Sequence, residues 1–241
     1  MIRILLCGEG PGDVGQTHVW DGARDDFVDN EGWLQPLVRK ILGSRVSFES
    51  RQRRDLTLLP RDKRRHRPLP RGHGAKALMA KVIAANEGFD AVIFMADADE
   101  VDCENWHIKR QDILDGFERI ALEVRSFACV PKATSESWLL ADQNAWRQLG
   151  LKDASGFPAN PEDSWGVRTD PNGNHPHQDF ARACDKVGLA DSRETRVLLA
   201  EKIDLTVLSE KCPVSFAAFQ SDLTENPIPN QNCNCGDECC T

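Results

Sequence analysis

The chain has 241 residues, of which 40% are hydrophobic and 28% charged, and its formal net charge at pH 7 is −8. This composition is typical of a globular protein with one large domain, or with one domain and an appendage. Because the sequence has no run of 18 apolar residues and no secretion signal at its N-terminus, we expect a cytoplasmic protein that does not span a membrane.

Residues 1–132 alternate short apolar runs with amphipathic segments, which is the pattern of an α/β domain. The predicted strands cover 2–8, 45–50, 89–97 and 127–130, and the predicted helices cover 33–43, 75–86 and 105–126. The segments 10–32 and 51–73 contain many Gly, Pro or Asp residues and predict loops. Because the strands are continuous apolar runs, we expect a central, mostly parallel sheet flanked by helices.

The second half of the chain is mostly helical. The predicted helices cover 135–148, 178–187, 194–210 and 213–223, and a long loop covers 151–177. We therefore divide the chain into an α/β core at 1–150, a helical C-terminal extension at 151–224 that packs on the core, and a disordered tail at 225–241. Four of the nine cysteines lie in this tail, and their close spacing argues against a structural zinc site, although a soft-metal site is the alternative.

Carboxylates follow two of the predicted strands. Glu9 follows the first strand, and Asp97 and Asp99 follow the strand at 89–97. Ligands of parallel sheets bind at the carboxyl ends of the strands, and residues two apart on an extended chain point to the same side. Three carboxylates repel one another unless a cation lies between them. Oxygen ligands suit Mg²⁺ or Mn²⁺. The alternative is that these residues only form turns and helix caps.

Two further motifs bear on this edge of the sheet. Glu136 follows the last predicted strand and is a fourth candidate metal ligand, although an acidic residue that complements a helix dipole is an equal alternative. The motif Gly10-Pro11-Gly12-Asp13-Val14-Gly15 fits the dinucleotide pattern G-x-G-x-x-G. Because no helical pattern follows it before Trp33, we do not interpret it as a nucleotide-binding turn.

The charge is concentrated in one basic segment. Residues 51–76 contain ten Lys or Arg residues and two acidic residues, a local charge of +8, so the rest of the chain carries −16. Such a segment favours a polyanion such as nucleic acid, and a solvated segment or a protein-binding site is the alternative. The candidate nucleic-acid-binding residues are Arg51, Arg53, Arg54, Arg64, Arg65, Arg67, Arg71 and Lys76.

The motif Gly8-Glu9-Gly10 after one strand and Asp97-x-Asp99 after another resemble the two signatures of the Toprim domain. More specifically, residues 1–223 resemble a Toprim-like family of unknown function (domain of unknown function 4276), through the segments 136–142 and 212–219. The resemblance implies a compact α/β fold with a central parallel sheet. It does not account for the basic segment.

The resemblance also implies Mg²⁺- or Mn²⁺-dependent phosphodiester chemistry, as in topoisomerases, primases and the overcoming-lysogenization-defect nucleases. It implies that Glu9 is a general acid/base or a metal ligand, that Asp97 and Asp99 are metal ligands, and that an ABC-type ATPase is a partner in defence against phage. Since the chain has no tyrosine for a covalent phosphotyrosyl link, hydrolysis of DNA or RNA is favoured over strand passage. The alternative is a non-catalytic Toprim-fold subunit that docks a partner ATPase or sensor.

Overall fold

The structure is a computed structural model that describes residues 1–58, 60–65 and 71–228. The β-strands of this part are β1 Ile2–Gly8, β2 Gln16–Asp21, β3 Asp26–Asn30, β4 Val46–Gln52, β5 Ala91–Met95 and β6 Arg125–Cys129. The helices are α1 Pro11–Val14, α2 Leu34–Leu42, α3 Pro60–Arg65, α4 Gly72–Asn86, α5 Cys103–Glu118, α6 Ser135–Leu140, α7 Gln143–Gln148, α8 Pro176–Val187, α9 Arg193–Lys202, α10 Leu205–Lys211 and α11 Phe216–Glu225. Short 3-10 turns lie at Arg53–Asp55 and Pro161–Asp163.

Four strands form a parallel sheet in the order β4-β1-β5-β6. The chain leaves β1 toward β4 on one side, whereas it leaves β5 toward β6 on the other. The boundary between β1 and β5, where Cys7 lies opposite Phe94, is therefore the topological switch point of the sheet. Open α/β sheets form their ligand crevices at the carboxyl ends of the strands at such a point.

Both faces of the sheet are covered by helices, as its continuous apolar strands require. In β1, Ile4 and Leu6 belong to one hydrophobic core, and Leu5 and Cys7 belong to the other, because successive side chains of a strand point to opposite faces. The first core contains α2 and the helices from α6 to α11, and the second contains α4 and α5. The predicted α/β fold, with its mostly parallel sheet and helical C-terminal part, is confirmed.

Two segments that were predicted to be loops contain regular structure. Residues 10–32 form helix α1 and an antiparallel hairpin of β2 and β3, and the segment 51–73 includes a 3-10 turn and helix α3. The prediction was wrong because Pro11 occupies the first turn of a helix, where its missing N–H costs nothing. The hairpin strands are short and contain no buried residue, so they lack the apolar alternation that marks a buried strand.

The helices predicted at 135–148 and 194–210 are each divided in two by an aspartate. Asp142 accepts a hydrogen bond from the backbone N–H of Asn144 at 2.8 Å, and Asp204 accepts one from Thr206 at 2.7 Å. Both carboxylates cap a new helix, which interrupts an apolar pattern that otherwise continues across the break.

The last described segment corrects the predicted start of the tail. Helix α11 continues to Glu225, and Ile228 is buried in the first core, so a disordered tail does not begin at 225. The rest of the predicted tail, 229–241 with its four cysteines, lies outside the described residues.

Helices α4 and α5 cross closely at two glycines, which yields a stability prediction. A Cβ atom on Gly116 would lie 2.2 Å from the carbonyl oxygen of Gly74 and 2.7 Å from its Cα atom. Because backbone atoms must shift to make room, we expect Gly116→Ala to lower the free energy of unfolding by about 1–3 kcal/mol. Gly12→Ala is the control, since a Cβ atom there meets nothing within 4 Å. Equal denaturation midpoints for the two variants would contradict the close crossing.

Candidate active site

Strand β1 brings Glu9 to the carboxyl edge of the sheet at the switch point. The residue before it must be small, because a Cβ atom on Gly8 would lie 2.7 Å from Cγ1 of Val14 in helix α1. Glu9 is half-exposed, and its Oε1 lies 2.5 Å from Nη1 of Arg53. This carboxylate therefore lies at the predicted edge, in an ion pair with a residue of the basic segment.

Backbone hydrogen bonds hold the segment that carries Asp97 and Asp99. The N–H of Ala98 donates to the carbonyl of Pro131 at 2.8 Å, and the N–H of Asp99 donates to the carbonyl of Ala133 at 3.0 Å. These bonds continue the pairing of β5 with β6 beyond the end of the sheet. The position of Asp97 is therefore fixed by the chain on its neighbouring strand.

Asp97 has the least favourable environment of the carboxylates at this edge. Its Oδ1 is buried and has no hydrogen-bond partner within the described part of the chain. Burial raises the pKa of this carboxyl well above its ordinary value, and the nearby charges of Asp13, Glu136, Asp99 and Glu9 raise it further. A proton or a cation would stabilise a carboxylate whose oxygen is buried among like charges.

Asp99 departs from the geometry expected from the sequence. Its φ is +59°, so the chain is not extended there, and the basis for placing Asp97 and Asp99 on the same side is lost. The exposed Asp99 carboxylate lies 3.4 Å from Nζ of Lys109. Lys109 also donates to the backbone carbonyls of Asp97 at 2.7 Å and Ala98 at 3.0 Å. This lysine of α5 therefore stabilises the turn between the two aspartates.

Glu136, in the first turn of α6, contacts two protein side chains. Its Oε1 lies 2.8 Å from Nη2 of Arg196 and 3.4 Å from Nδ1 of His177. Arg196 is itself fixed, because its Nε donates to Asp191 at 2.9 Å and its guanidinium lies over the ring of Phe180. Although burial opposes ionisation, His177 and Arg196 hold the pKa of Glu136 well below its ordinary value. Glu136 is therefore an ionised carboxylate whose charge is already balanced.

Asp13 belongs to this group of carboxylates, but the sequence analysis did not identify it. It lies in α1, within the glycine motif that we set aside, and Nε1 of Trp33 donates to its Oδ1 at 2.9 Å. Burial raises the pKa of Asp13, and the hydrogen bond from Trp33 partly offsets this. The available signal was an acidic residue four positions after Glu9 in the turn that follows β1.

The predicted loop 151–177 also contributes to this side of the molecule. It ends in His175 and His177, where Nδ1 of His175 accepts a hydrogen bond from the backbone N–H of His177 at 3.2 Å. The loop is tied to the C-terminal helices through Glu162, which accepts backbone hydrogen bonds from Val214 at 3.0 Å and Ser215 at 2.8 Å. The short His-Pro-His motif was a signal for these residues that the sequence analysis did not use.

The candidate nucleic-acid-binding residues do not all lie together. Arg53 contacts Glu9, and its Nη1 lies 3.4 Å from Nδ1 of His73. Arg51 instead forms ion pairs with Glu49 at 2.8 Å and Glu87 at 2.6 Å. These ion pairs give Arg51 a structural role beside the sheet.

The other candidate residues differ in their surroundings. Lys76 donates to the carbonyl of Leu56 at 3.0 Å. The side chains of Arg54 and Arg71 are exposed. The positions for which the structure describes no side chain are Arg64 and Arg65 in α3, and Arg67.

The arrangement of these residues can be compared with the needs of a metal ion. Within the described ranges, no three His, Cys, Asp or Glu side chains are positioned to hold one ion together. The reason is that Glu9, Asp99 and Glu136 are each turned toward a protein cation. The donor set nevertheless fits a hard cation, because it consists of carboxylate oxygens and includes the buried, unpartnered Oδ1 of Asp97.

Comparison of the chain with protein-family models, with curated proteins and with solved structures found no match. The resemblance to the Toprim domain therefore stays a prediction from the motifs. In the part of the chain that the structure describes, no helix is long and apolar enough to cross a membrane.

The environment of Asp97 predicts how stability depends on pH. Because the folded protein keeps a proton on Asp97 to higher pH than the unfolded chain does, this residue contributes stability that is lost as pH rises from about 4 through the raised pKa. We expect Asp97→Asn, in the presence of a chelator, to match or exceed the melting temperature of the wild type at pH 7. The difference should shrink toward pH 4.

The control for this experiment is Asp185→Asn, which neutralises an exposed aspartate of α8. Its melting temperature should follow that of the wild type across the same pH range. A melting temperature for Asp97→Asn that is several degrees below the wild type at pH 7 would show that the ionised carboxylate stabilises the metal-free fold.

Proposed function

We propose that this protein is a divalent-metal-dependent nuclease that hydrolyses phosphodiester bonds of DNA or RNA. The observation that carries the proposal is the buried Oδ1 of Asp97, which has no hydrogen-bond partner among the described residues, with four further carboxylates nearby at the carboxyl edge of a parallel sheet. Oxygen ligands of this kind suit Mg²⁺ or Mn²⁺. The proposal agrees with the chemistry that the Toprim resemblance implies.

In this proposal, Asp97, Asp99 and Glu9 would hold the metal, and for this Glu9 and Asp99 would turn away from Arg53 and Lys109. A bound divalent ion would generate a nucleophilic hydroxide and stabilise the leaving oxygen. Glu136 fits a different role from the one predicted, because its charge is already balanced by Arg196 and His177. We propose that Glu136 positions these two side chains at the site.

Cations around the carboxylates support a phosphate-containing substrate. Lys109 and Arg53 lie beside the acidic residues, although the chain as a whole carries a charge of −8. Carboxylates alone would repel a nucleic acid, whereas Arg and Lys donate strong hydrogen bonds to phosphate oxygens. The basic segment 51–76 would add affinity that does not depend on sequence.

The side chains also favour hydrolysis as the type of reaction. Glu9 is half-exposed, so its carboxylate is accessible to a water molecule and can accept a proton from it. The sequence contains no tyrosine that could form a covalent link to the substrate. From the resemblance, we further propose that the protein is cytoplasmic and works with an ABC-type ATPase in defence against phage.

A non-catalytic subunit that docks a partner protein is the second candidate function. The observation that favours it is the hairpin of β2 and β3, on which Trp20 and Phe27 pack edge to face with ring centroids 5.3 Å apart. Both side chains are more than half exposed. Exposed aromatic side chains are enriched at protein interfaces. The two candidates differ in whether the protein alone cleaves nucleic acid.

We expect the purified protein to cleave at least one of three substrates, namely plasmid DNA, single-stranded DNA and tRNA, with Mg²⁺ or Mn²⁺ but not with EDTA. Asp97→Asn and Glu9→Gln should each lower the cleavage rate by at least about a hundredfold, because each removes the negative charge of a proposed metal ligand. Asp185→Asn, prepared in the same way, should retain the wild-type rate and so exclude a contaminating nuclease.

The outcomes separate the two candidate functions. Equal cleavage by all four proteins would mean that the activity comes from another site or from a contaminant. Absence of cleavage under every condition, with a folded wild-type protein, would reject the nuclease and leave the docking subunit.

A further inference from the structure

We infer that Arg53 exchanges between Glu9 and the substrate: it holds Glu9 in the metal-free protein, and it binds a substrate phosphate once a metal ion has taken Glu9. This inference rests on the proposed function. In this inference, Arg53 competes with the metal ion for the carboxylate of Glu9, and it also takes part in substrate binding.

The position of Arg53 allows both contacts. It begins the 3-10 turn Arg53–Asp55 directly after β4, the strand that pairs with β1, and Glu9 follows the end of β1. Its Nη1 lies 2.5 Å from Oε1 of Glu9 and 3.4 Å from Nδ1 of His73. The guanidinium has five N–H donors, so donors remain for a further acceptor.

The other two cations of the site are held more firmly than Arg53. The side chain of Arg196 is 13% exposed and is bound by Asp191 as well as by Glu136. The side chain of Lys109 is 19% exposed and donates to two backbone carbonyls. Arg53 is 36% exposed, and the backbone carbonyls take no part in its contacts with Glu9 and His73. It is therefore the cation that can leave its carboxylate at the lowest cost.

The exchange follows from the charges involved. A solvent-exposed ion pair contributes little free energy, whereas a divalent ion among several carboxylates relieves their mutual repulsion. Once displaced, the guanidinium would remain tethered beside the carboxylates, where a phosphate oxygen pair matches its planar fork. Metal and nucleic acid should therefore promote each other's binding.

The test compares Arg53→Gln with a matched ion pair at the opposite edge of the sheet. Arg110 lies 2.6 Å from Asp222, and both residues line a cavity with Arg125 and Ser126, at the start of β6. Arg110→Gln therefore removes an arginine from a carboxylate without touching the site. Melting temperatures establish that each variant is folded, and Arg53→Lys provides a second variant that keeps the charge but loses the fork.

Binding is measured without reference to cleavage. Mn²⁺ affinity is determined by electron paramagnetic resonance in the absence of nucleic acid, and affinity for a labelled single-stranded oligonucleotide is determined with Ca²⁺ present. We expect Arg53→Gln to bind Mn²⁺ about tenfold more tightly, since a competing positive charge is removed. It should bind the oligonucleotide about tenfold more weakly. Arg53→Lys should retain the wild-type Mn²⁺ affinity within about twofold and lose oligonucleotide affinity, and Arg110→Gln should change neither.

Each contrary result has a separate meaning. If the wild type binds Mn²⁺ and cleaves nucleic acid while Arg53→Gln behaves like Arg110→Gln, the inference is wrong and the proposed function stands. If Arg53→Gln binds Mn²⁺ more tightly but keeps the wild-type oligonucleotide affinity, Arg53 competes with the metal for Glu9 but does not bind the substrate, and the inferred exchange is wrong. If the wild type binds no Mn²⁺, both the inference and the proposed function are wrong.

Discussion

The charge of Asp97 is the constraint on which the rest of the site depends. Its Oδ1 is buried without a hydrogen-bond partner in the described residues, and four other carboxylates lie near enough to raise its pKa. Three of these neighbours are paired with protein cations, whereas Asp13 accepts a hydrogen bond from Trp33. Arg53 pairs with Glu9, Lys109 with Asp99, and Arg196 with Glu136. Among the described residues Asp97 therefore has neither an ion pair nor a hydrogen bond to its Oδ1, and a proton or an added cation would stabilise it.

The topology of the sheet places these carboxylates near one another. Strands β1 and β5 lie side by side at the switch point, so the residues that follow them lie at the same carboxyl edge of the sheet. The bonds from Ala98 and Asp99 to the chain beyond β6 then hold the aspartates in place. Packing on both faces of the sheet fixes the strands, since the C-terminal helices complete one core and helices α4 and α5 form the other. Glu162 ties the loop that carries His175 and His177 to those C-terminal helices.

The sequence was sufficient for the parts that depend on local pattern. The apolar strand runs predicted the parallel sheet, and the carboxylates after two of them predicted which residues lie at its edge. The partners of those carboxylates could not be predicted, because Arg196 lies 60 residues from Glu136 and the contact depends on how α9 packs. Asp13 was missed because its burial follows from the contact with Trp33 in tertiary structure. The helix breaks at Asp142 and Asp204 were not predicted, because the apolar pattern continues across each break although the aspartate side chain caps a new helix there.

The central claim of this account is that a divalent cation supplies the charge that Asp97 lacks. Titration of the metal-free protein with Mn²⁺, followed by electron paramagnetic resonance, measures this directly. The account predicts that the wild type binds at least about one Mn²⁺ per chain and that Asp97→Asn loses this binding, since the variant removes the negative charge of the buried ligand while preserving its shape. Identical Mn²⁺ binding by the wild type and Asp97→Asn, or no binding by either, would contradict the account.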